Sequence, residues 1–323
     1  MGDEQNSEAL YHYTDAHGLV GILNTSWAPW PLKSEQEIGY HRVPRLLMSD
    51  VRFMNDTEEL RFGTQRLRER LQSRMQDPST PPVFASAFGD IIGFLNPEDT
   101  LDWPRRCFAT CFCSKGDLLS QWRGYAGGTG GFAIGFSQEA LRGRTYAFHP
   151  HRGPDMVALT SDPILRPVAY GRDAGAAAID AHIDELMARS DASLMTDGRP
   201  QTRNMARNLL FSLLVDAVTT VKDSAFEEEQ EWRLVLVSET QFPVKVRARA
   251  RGLVPYMDVA VNINYEDGGS ARAVYYRDHP TIVDLVVGPG PDQAEQVPAA
   301  RELLRITGHN SEVVRPSTVP FRG

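Results

Sequence analysis

The sequence predicts an α+β domain, and three stretches carry that prediction. Residues 9 to 14 alternate and are rich in Tyr and Thr, the pattern of a short strand. Cys107 to Cys113 alternates as well, with Cys107, Ala109, Cys111 and Cys113 on one face and Phe108, Thr110 and Phe112 on the other, as expected of a buried central strand. Between such segments lie helical patterns, the longest from Thr202 to about Val221, with Leu209, Leu210, Leu213, Leu214, Ala217 and Val221 at helical spacing.

In chain order, Asp15 is placed to cap a helix through Leu23 that follows the first strand. Leu46 to Phe53 reads as extended, and Asp56 or Thr57 as the cap of an amphipathic helix to about Met75, which the Pro-rich stretch Asp77 to Val83 ends. Ser120-Gln121-Trp122-Arg123-Gly124-Tyr125, the Gly-rich turn Gly127 to Gly131 and the apolar strand Phe132 to Phe136 follow the cysteine strand. Leu165 to Tyr170 is expected as a strand and Ala176 to Arg189 as a helix, with an irregular stretch from His149 to Pro163 and a polar connection from Ser190 to Pro200. Leu234 to Val237, Phe242 to Val246, Met257 to Asn264 and Thr281 to Val287 complete the strands, and a last helix spans about Asp292 to Ile306. No internal repeat or low-complexity tract is present.

Length and composition narrow the function. A chain of 323 residues suits one large domain, alone or with an insertion, and no apolar run approaches the roughly 20 residues that cross a bilayer. The first residues, Met1-Gly2-Asp3-Glu4-Gln5-Asn6, are acidic and polar, the reverse of a secretory signal, and the three cysteines lie within seven residues, a poor disulfide framework. A soluble, cytoplasmic protein with no membrane partner is the expectation. A formal charge of −8 disfavours tight unspecific binding to nucleic acid, which stays in play as a substrate held in a site.

Few residues stand out for chemistry. His12 beside Thr14 in a short strand suits hydrogen bonding to a ribose, while Tyr13 offers a flat surface; a lone histidine is more often a satisfied core or surface residue. Glu227, Glu228, Glu229 and Glu231 run directly into Trp232-Arg233-Leu234-Val235-Leu236-Val237. Such a run is usually a solvated turn, but Glu229 and Glu231 share a face if the strand has begun, and carboxylates at a strand end suit general-base work or the steadying of a sugar cation. The C-x3-C-x-C spacing does not match structural zinc sites, His149-Pro150-His151 has no further ligands nearby, and no metal is expected. The glycines after Tyr125 match neither G-x-G-x-x-G nor the P-loop, and no G-x-S-x-G elbow occurs.

Taken together, Tyr11-His12-Tyr13-Thr14 with Gly21-Ile22-Leu23, Met54-Asn55-Asp56 with Glu58, Cys113-Ser114 with Ser120-Gln121-Trp122 and Tyr125, Gly131-Phe132 with Gly135-Phe136, and Glu229-x-Glu231-Trp232-Arg233 resemble a large bacterial family known chiefly as a domain of unknown function. The likeness covers nearly the whole chain, through Val287-Gly288-Pro289 and Val319-Pro320-Phe321-Arg322. A second resemblance is to the ADP-ribosyltransferase superfamily, in the branch of diphtheria toxin and the poly-ADP-ribose polymerases with its His, Tyr, Glu signature. It implies a single domain over 1–323 with a split β-sheet core, flanking helices and an inserted helical segment at about 149–221.

By that resemblance the substrate is NAD. His12 holds the adenosine ribose with Thr14 assisting. Tyr125 stacks on nicotinamide, with Tyr13 and Tyr170 as alternatives for that place. Glu231 bonds the nicotinamide ribose and steadies the cation as nicotinamide leaves, and Glu229 orients or deprotonates the acceptor. Ser120 lies in the turn that precedes Tyr125, and Arg123 is placed to pair with the pyrophosphate, whereas Arg233 suits a surface ion pair with the acidic run. The family context implies a toxin or anti-phage defence effector that modifies an intracellular nucleic acid or protein, with an antitoxin or regulatory partner. NAD glycohydrolase is the neighbouring reading, a catalytically silent nucleotide- or partner-binding module the alternative from another class, and metal-dependent phosphodiester hydrolysis through Asp56, Glu58, Glu229 and Glu231 a third.

Overall fold

The computed structural model describes residues 9–23, 44–54, 57–96, 103, 105–125, 130–143, 145–148, 156–158, 163–189, 210–211, 214–238, 244–249, 252–261, 263–265, 273–275 and 280–320. The Asn55-Asp56 cap, residues 127–129 of the Gly-rich turn, His149 to His151, and residues 202–209 and 212–213 of the long helix expected from Thr202 lie outside them.

The strands, in chain order, are β1 (Ala9–Thr14), β2 (Arg45–Asp50), β3 (Arg106–Cys113), β4 (Phe132–Ser137), β5 (Thr145–Phe148), β6 (Met156–Ala158), β7 (Ile164–Pro167) and β8 (Ala169–Tyr170). They continue with β9 (Val221–Lys222), β10 (Glu231–Ser238), β11 (Lys245–Arg249), β12 (Gly252–Val261), β13 (Ile263–Tyr265), β14 (Ala273–Tyr275), β15 (Ile282–Val287) and β16 (Val314–Pro316). The helices are α1 (Ala16–Leu23), α2 (Thr57–Gln76), α3 (Pro82–Ile92), α4 (Leu119–Tyr125), α5 (Gln138–Arg142), α6 (Arg172–Arg189) and α7 (Gln293–Ile306).

The class is α+β, as expected: twelve strands form one large sheet that is antiparallel except for the β15–β16 pair. β3 organises it. Along one edge β10 pairs with β3 over its full length, from Glu231 opposite Cys113 to Ser238 opposite Arg106. The other edge is shared, since β1 meets it at Tyr11↔Cys113 and β2 at Ser49↔Ala109 and Asp50↔Phe108. The sheet therefore branches into two wings, β1-β4-β15-β16 and β2-β12 with β5, β6 and β11 beyond.

Alternation along each strand sends side chains to two opposed cores. On one face Leu10, Phe112, Ile134, Phe136, Leu234 and Met257 pack with Leu19 of α1 and Leu304 of α7. On the other, Cys107, Ala109 and Val235 meet Leu67 of α2, Phe88 of α3 and Ile183 of α6, while Tyr11, Tyr13, Cys113 and Trp122 pack beside them. Asp15 Oδ1 accepts from Gly18 N at 2.8 Å and so ties down the first turn of α1, the role its position predicts.

The strand expected from Leu165 to Tyr170 is two. Pro167 has no N–H to continue a ladder, and at Val168 the chain leaves β10, where Val168 N donates to Glu231 O, and joins β9, where Ala169 N donates to Thr220 O. The segment expected as a helical insertion thus supplies β7 to the edge of the sheet as well as α6, which is anchored to α2 by Arg70 and Arg74 on Asp180. The long helix expected through Val221 ends earlier, because residues 219–220 turn and Val221 begins β9. Among the described residues no helix is long and apolar enough to cross a membrane.

Gly63 on α2 faces the backbone of the helical stretch 214–218: a Cβ there would lie 2.0 Å from Val218 O. Backbone cannot rotate away as a side chain can. Gly63→Ala is therefore expected to cost about 1–3 kcal/mol, read as a lower midpoint in denaturant at unchanged slope; unchanged stability would show that the two helices do not approach so closely.

Candidate functional site

The head of β10 is built by a tight reversal. Asp223 Oδ1 accepts from Ala225 N at 2.9 Å and caps the 3-10 turn Ser224–Glu229, and Gln230 then takes a left-handed conformation (φ 44, ψ 48) before Glu231 opens the strand. Gln230 is held in that costly conformation by the residue that follows β3: Ser114 Oγ donates to its side chain at 2.9 Å and Ser114 N to its carbonyl at 3.1 Å. The consequence is chemical. Glu229 and Glu231 do not simply share a strand face; the reversal brings both carboxylates to one ammonium.

That ammonium is Lys222 on β9, 2 % exposed. Its three donors meet three carboxylates: Glu59 of α2 at 2.8 Å, Glu229 at 2.5 Å and Glu231 at 2.8 Å. Phe226 lies below it, with the ring centroid 5.2 Å from Nζ. Arg233, two residues along β10 and on the same face as Glu231, grips that carboxylate with Nε at 2.7 Å and Nη2 at 2.9 Å, reaches Glu59 at 2.7 Å, and donates Nη1 to Thr219 O at 2.7 Å. Arg233 was expected in a surface ion pair; the pair forms but is buried, because Glu59 and Thr219 close over it from α2 and the approach to β9.

Among the described residues, three carboxylates against two cations leave this cluster one negative charge in excess. Burial by itself raises the Glu231 carboxyl; Arg233 and Lys222, with hydrogen bonds from Arg233 and the Cys111 thiol, overcome it and bring the group down to about 2. Glu231 is thereby ionised and also saturated. Two bonds from Arg233, one from Lys222 and one from Cys111 use the four lone-pair sites of a carboxylate. Glu229 differs: its Oε2 meets Lys222, and its Oε1 carries no bond among the described residues.

Tyr125, at the end of α4, stands at this site. Its ring is 50 % exposed, and its phenol is pushed up first by burial and then by the charges of Glu229 and Glu231. Tyr170 also belongs here, but as framework, since its hydroxyl accepts from Glu231 N at 2.7 Å. Arg123 is exposed on α4, and Ser120, on the same helix, has a buried Oγ without a hydrogen-bond partner among the described residues.

The remaining residues expected at the site lie elsewhere. The row Tyr11, Cys113, Glu231 runs across three strands on one face, so His12 projects from the opposite one, edge-on to Phe112 with ring centroids 6.0 Å apart. It stands where β1 and β3 cease to pair, and its Nδ1 is 2.9 Å from Cys111 O. Since a carbonyl only accepts, Nδ1 carries the proton. Burial, and after it the charges of Arg247 and Arg249 against a contrary pull from that hydrogen bond, hold the His12 pKa below its usual value, so the ring is neutral near pH 7. Tyr13 shares the face of Glu231 but is buried on Trp122 and ties a loop, donating to Lys115 O at 2.8 Å and accepting from Leu118 N at 3.0 Å. Thr14, two residues beyond His12, ends β1 on the His12 face. The structure thus unites Tyr125, Glu229 and Glu231 and separates them from His12 and Thr14.

Glu59 and Lys222 were missed by sequence reasoning. Lys222 is the charge that closes the stretch Ala217-Val218-Thr219-Thr220-Val221-Lys222, where a buried cation needs carboxylate partners, and that anomaly was legible. It also bears on the metal-hydrolysis reading, since Lys222 occupies the position among Glu59, Glu229 and Glu231 that a cation would take.

A family model described as "Protein of unknown function (DUF2971)" matches residues 121–234, from Gln121 on α4 to Leu234 on β10. The matched stretch contains Tyr125, Tyr170, Lys222, Glu229, Glu231 and Arg233. No curated protein and no solved structure matches the chain.

Two measurements check the network. The depressed Glu231 pKa means that its stabilisation is complete above its ordinary value of 4.5 and disappears as pH falls from there toward 2. The stability advantage of the wild type over Glu231→Gln should shrink across that window, and a constant advantage would refute the shift. Arg233→Met leaves a buried carboxylate short of its principal cation and should cost about 3–5 kcal/mol in denaturant unfolding; a cost near zero would mean that the pair is not buried as described.

Proposed function

We propose that the chain consumes NAD at the Glu229–Tyr125 side of the sheet, transferring ADP-ribose to an acceptor with release of nicotinamide. The observation that carries this reading is a carboxylate with one unbonded oxygen among the described residues, Glu229, beside a half-exposed aromatic ring, Tyr125, over a cluster with excess negative charge. Cleavage of the N-glycosidic bond gives the bonding electron pair to the pyridinium nitrogen, so nicotinamide leaves neutral and positive charge develops on the ribose. An acceptor nucleophile then attacks the anomeric carbon and loses its proton. A fixed carboxylate lowers the energy of that cation, and a flat ring holds nicotinamide while it departs.

The resemblance assigns the sugar-facing role to Glu231, and the saturation of Glu231 moves it to Glu229. Glu231 becomes a positioning residue that fixes Lys222, and through it Glu229. Arg123, exposed on α4 two residues before Tyr125, stays a candidate for the pyrophosphate, and the acceptor is an intracellular nucleic acid or protein, in keeping with a toxin or defence effector. His12 and Thr14 lie across the sheet from this site, which favours a second reading: a catalytically silent nucleotide- or partner-binding module on the same scaffold.

Nicotinamide release from NAD by the purified protein, with and without cell extract as acceptor, separates the two. Transfer predicts release that extract stimulates and that falls by about a hundredfold or more in Glu229→Gln, of the order lost with one transition-state charge contact. Release that ignores extract indicates hydrolysis. No release from the folded protein under any condition leaves the binding module.

A further inference from the structure

Tyr125 shares its helix face with a second polar side chain. Residues 121 and 125 of α4 are four apart, so Gln121 lies one turn before the Tyr125 ring on the same face. Trp122, the next residue round the helix, is turned to the wing of β1, β4 and β15: it packs on Tyr13 with ring centroids 4.7 Å apart, and a Cβ on Gly288 would lie 2.9 Å from its ring. Leu119 and Arg123 are exposed on the far side. Gln121 and Tyr125 are therefore left facing the other flank, toward β3 and the 3-10 turn, from which the charges of Glu229 and Glu231 reach the Tyr125 phenol.

Gln121 is the anomaly of this face. It is only 7 % exposed, yet its side chain forms no hydrogen bond among the described residues, and neither of its amide atoms belongs to the polar atoms fully sealed from solvent. Drawing an amide this far out of water without a partner costs about 1–3 kcal/mol, which an apolar side chain of similar size would avoid. The amide opens beside a half-exposed ring and offers two N–H donors and one carbonyl acceptor. A flat ligand laid on Tyr125 with a primary carboxamide at its edge answers both features, since four residues span about 6 Å along the helix. The ligand carbonyl accepts from Gln121 Nε2 and the ligand NH2 donates to Oε1, closing a pair of bonds. A carboxylate in that place has no proton for Oε1, and it would add to the negative excess that Glu59, Glu229 and Glu231 leave among the described residues.

We propose that Gln121 is the specificity-determining residue for the carboxamide of nicotinamide, so that the site takes NAD and rejects its nicotinate counterpart. The identity of the ring rests on the reading of Glu229 and Tyr125 given above; the amide pairing is new to it.

The test uses the full chain, with nicotinamide and nicotinate as the probes, titrated in competition and followed by ligand-observed NMR. The wild type should bind nicotinamide more tightly than nicotinate, and the ratio of the two affinities should fall by about tenfold or more in Gln121→Met, the worth of one or two neutral hydrogen bonds. A Gln121 that only supports the helix would weaken both ligands together and leave the ratio unchanged. Should Gln121→Met fail to fold, nuclear Overhauser contacts between nicotinamide and the Gln121 side-chain amide of labelled wild type decide instead. Equal affinities in the wild type, an unchanged ratio in a folded Gln121→Met, or no contact with the Gln121 amide would overturn the proposal. Selectivity that depends on Gln121 without nicotinamide release from NAD would support this pairing and remove the reaction, whereas release from NAD with the ratio unchanged in Gln121→Met would overturn the pairing and leave the reaction.

Discussion

Lys222 has three ammonium protons and finds three carboxylates, each on a different piece of the chain: Glu59 on α2, Glu229 on the 3-10 turn and Glu231 at the head of β10. Burying that ammonium is costly on its own, and only this degree of pairing makes it tolerable. The same bonds fix the approach of α2 to the sheet, the reversal at Gln230 and, through Glu231, the grip of Arg233. A buried ionic cluster of this kind adds little net stability compared with an apolar core of equal volume. What it specifies is direction, because each carboxylate has one place to point. One of the three, Glu229, keeps an oxygen with no bond among the described residues, on the side where Tyr125 stands.

Branching of the sheet leaves part of one edge of β3 without a partner strand. β3 cannot pair with both β1 and β2 along its whole length, so the strands part, and His12 bonds the Cys111 carbonyl that strand pairing leaves open. Among the described residues the excess charge on the β10 side is negative, which suits the ribose cation of the proposed reaction.

Much of the framework was legible. β1, β3, α2 and α7 follow from periodicity that agrees with their burial, and the acidic run before Trp232 marked the carboxylate cluster. The rest depended on distances in space that no local pattern encodes. Period-2 alternation shows that His12 and Tyr11 oppose each other, but only the pairing Tyr11↔Cys113↔Glu231 shows which of them shares a face with Glu231. Glu59 looked like any exposed helix carboxylate until Arg233 and Lys222 reached it. The basic alternation from Lys245 to Arg251 was visible and went unread because the strand was expected to end at Val246; it continues to Arg249.

The position of the sugar decides between the two faces of β3. A crystal structure of the protein with a non-cleavable NAD analogue is the most direct measurement. The account predicts the nicotinamide ribose within hydrogen-bond distance of Glu229, nicotinamide against Tyr125, and Glu231 still closed on Arg233 and Lys222. A nicotinamide ribose on the His12 face, or a Glu231 that abandons Arg233 to reach the sugar, would contradict it.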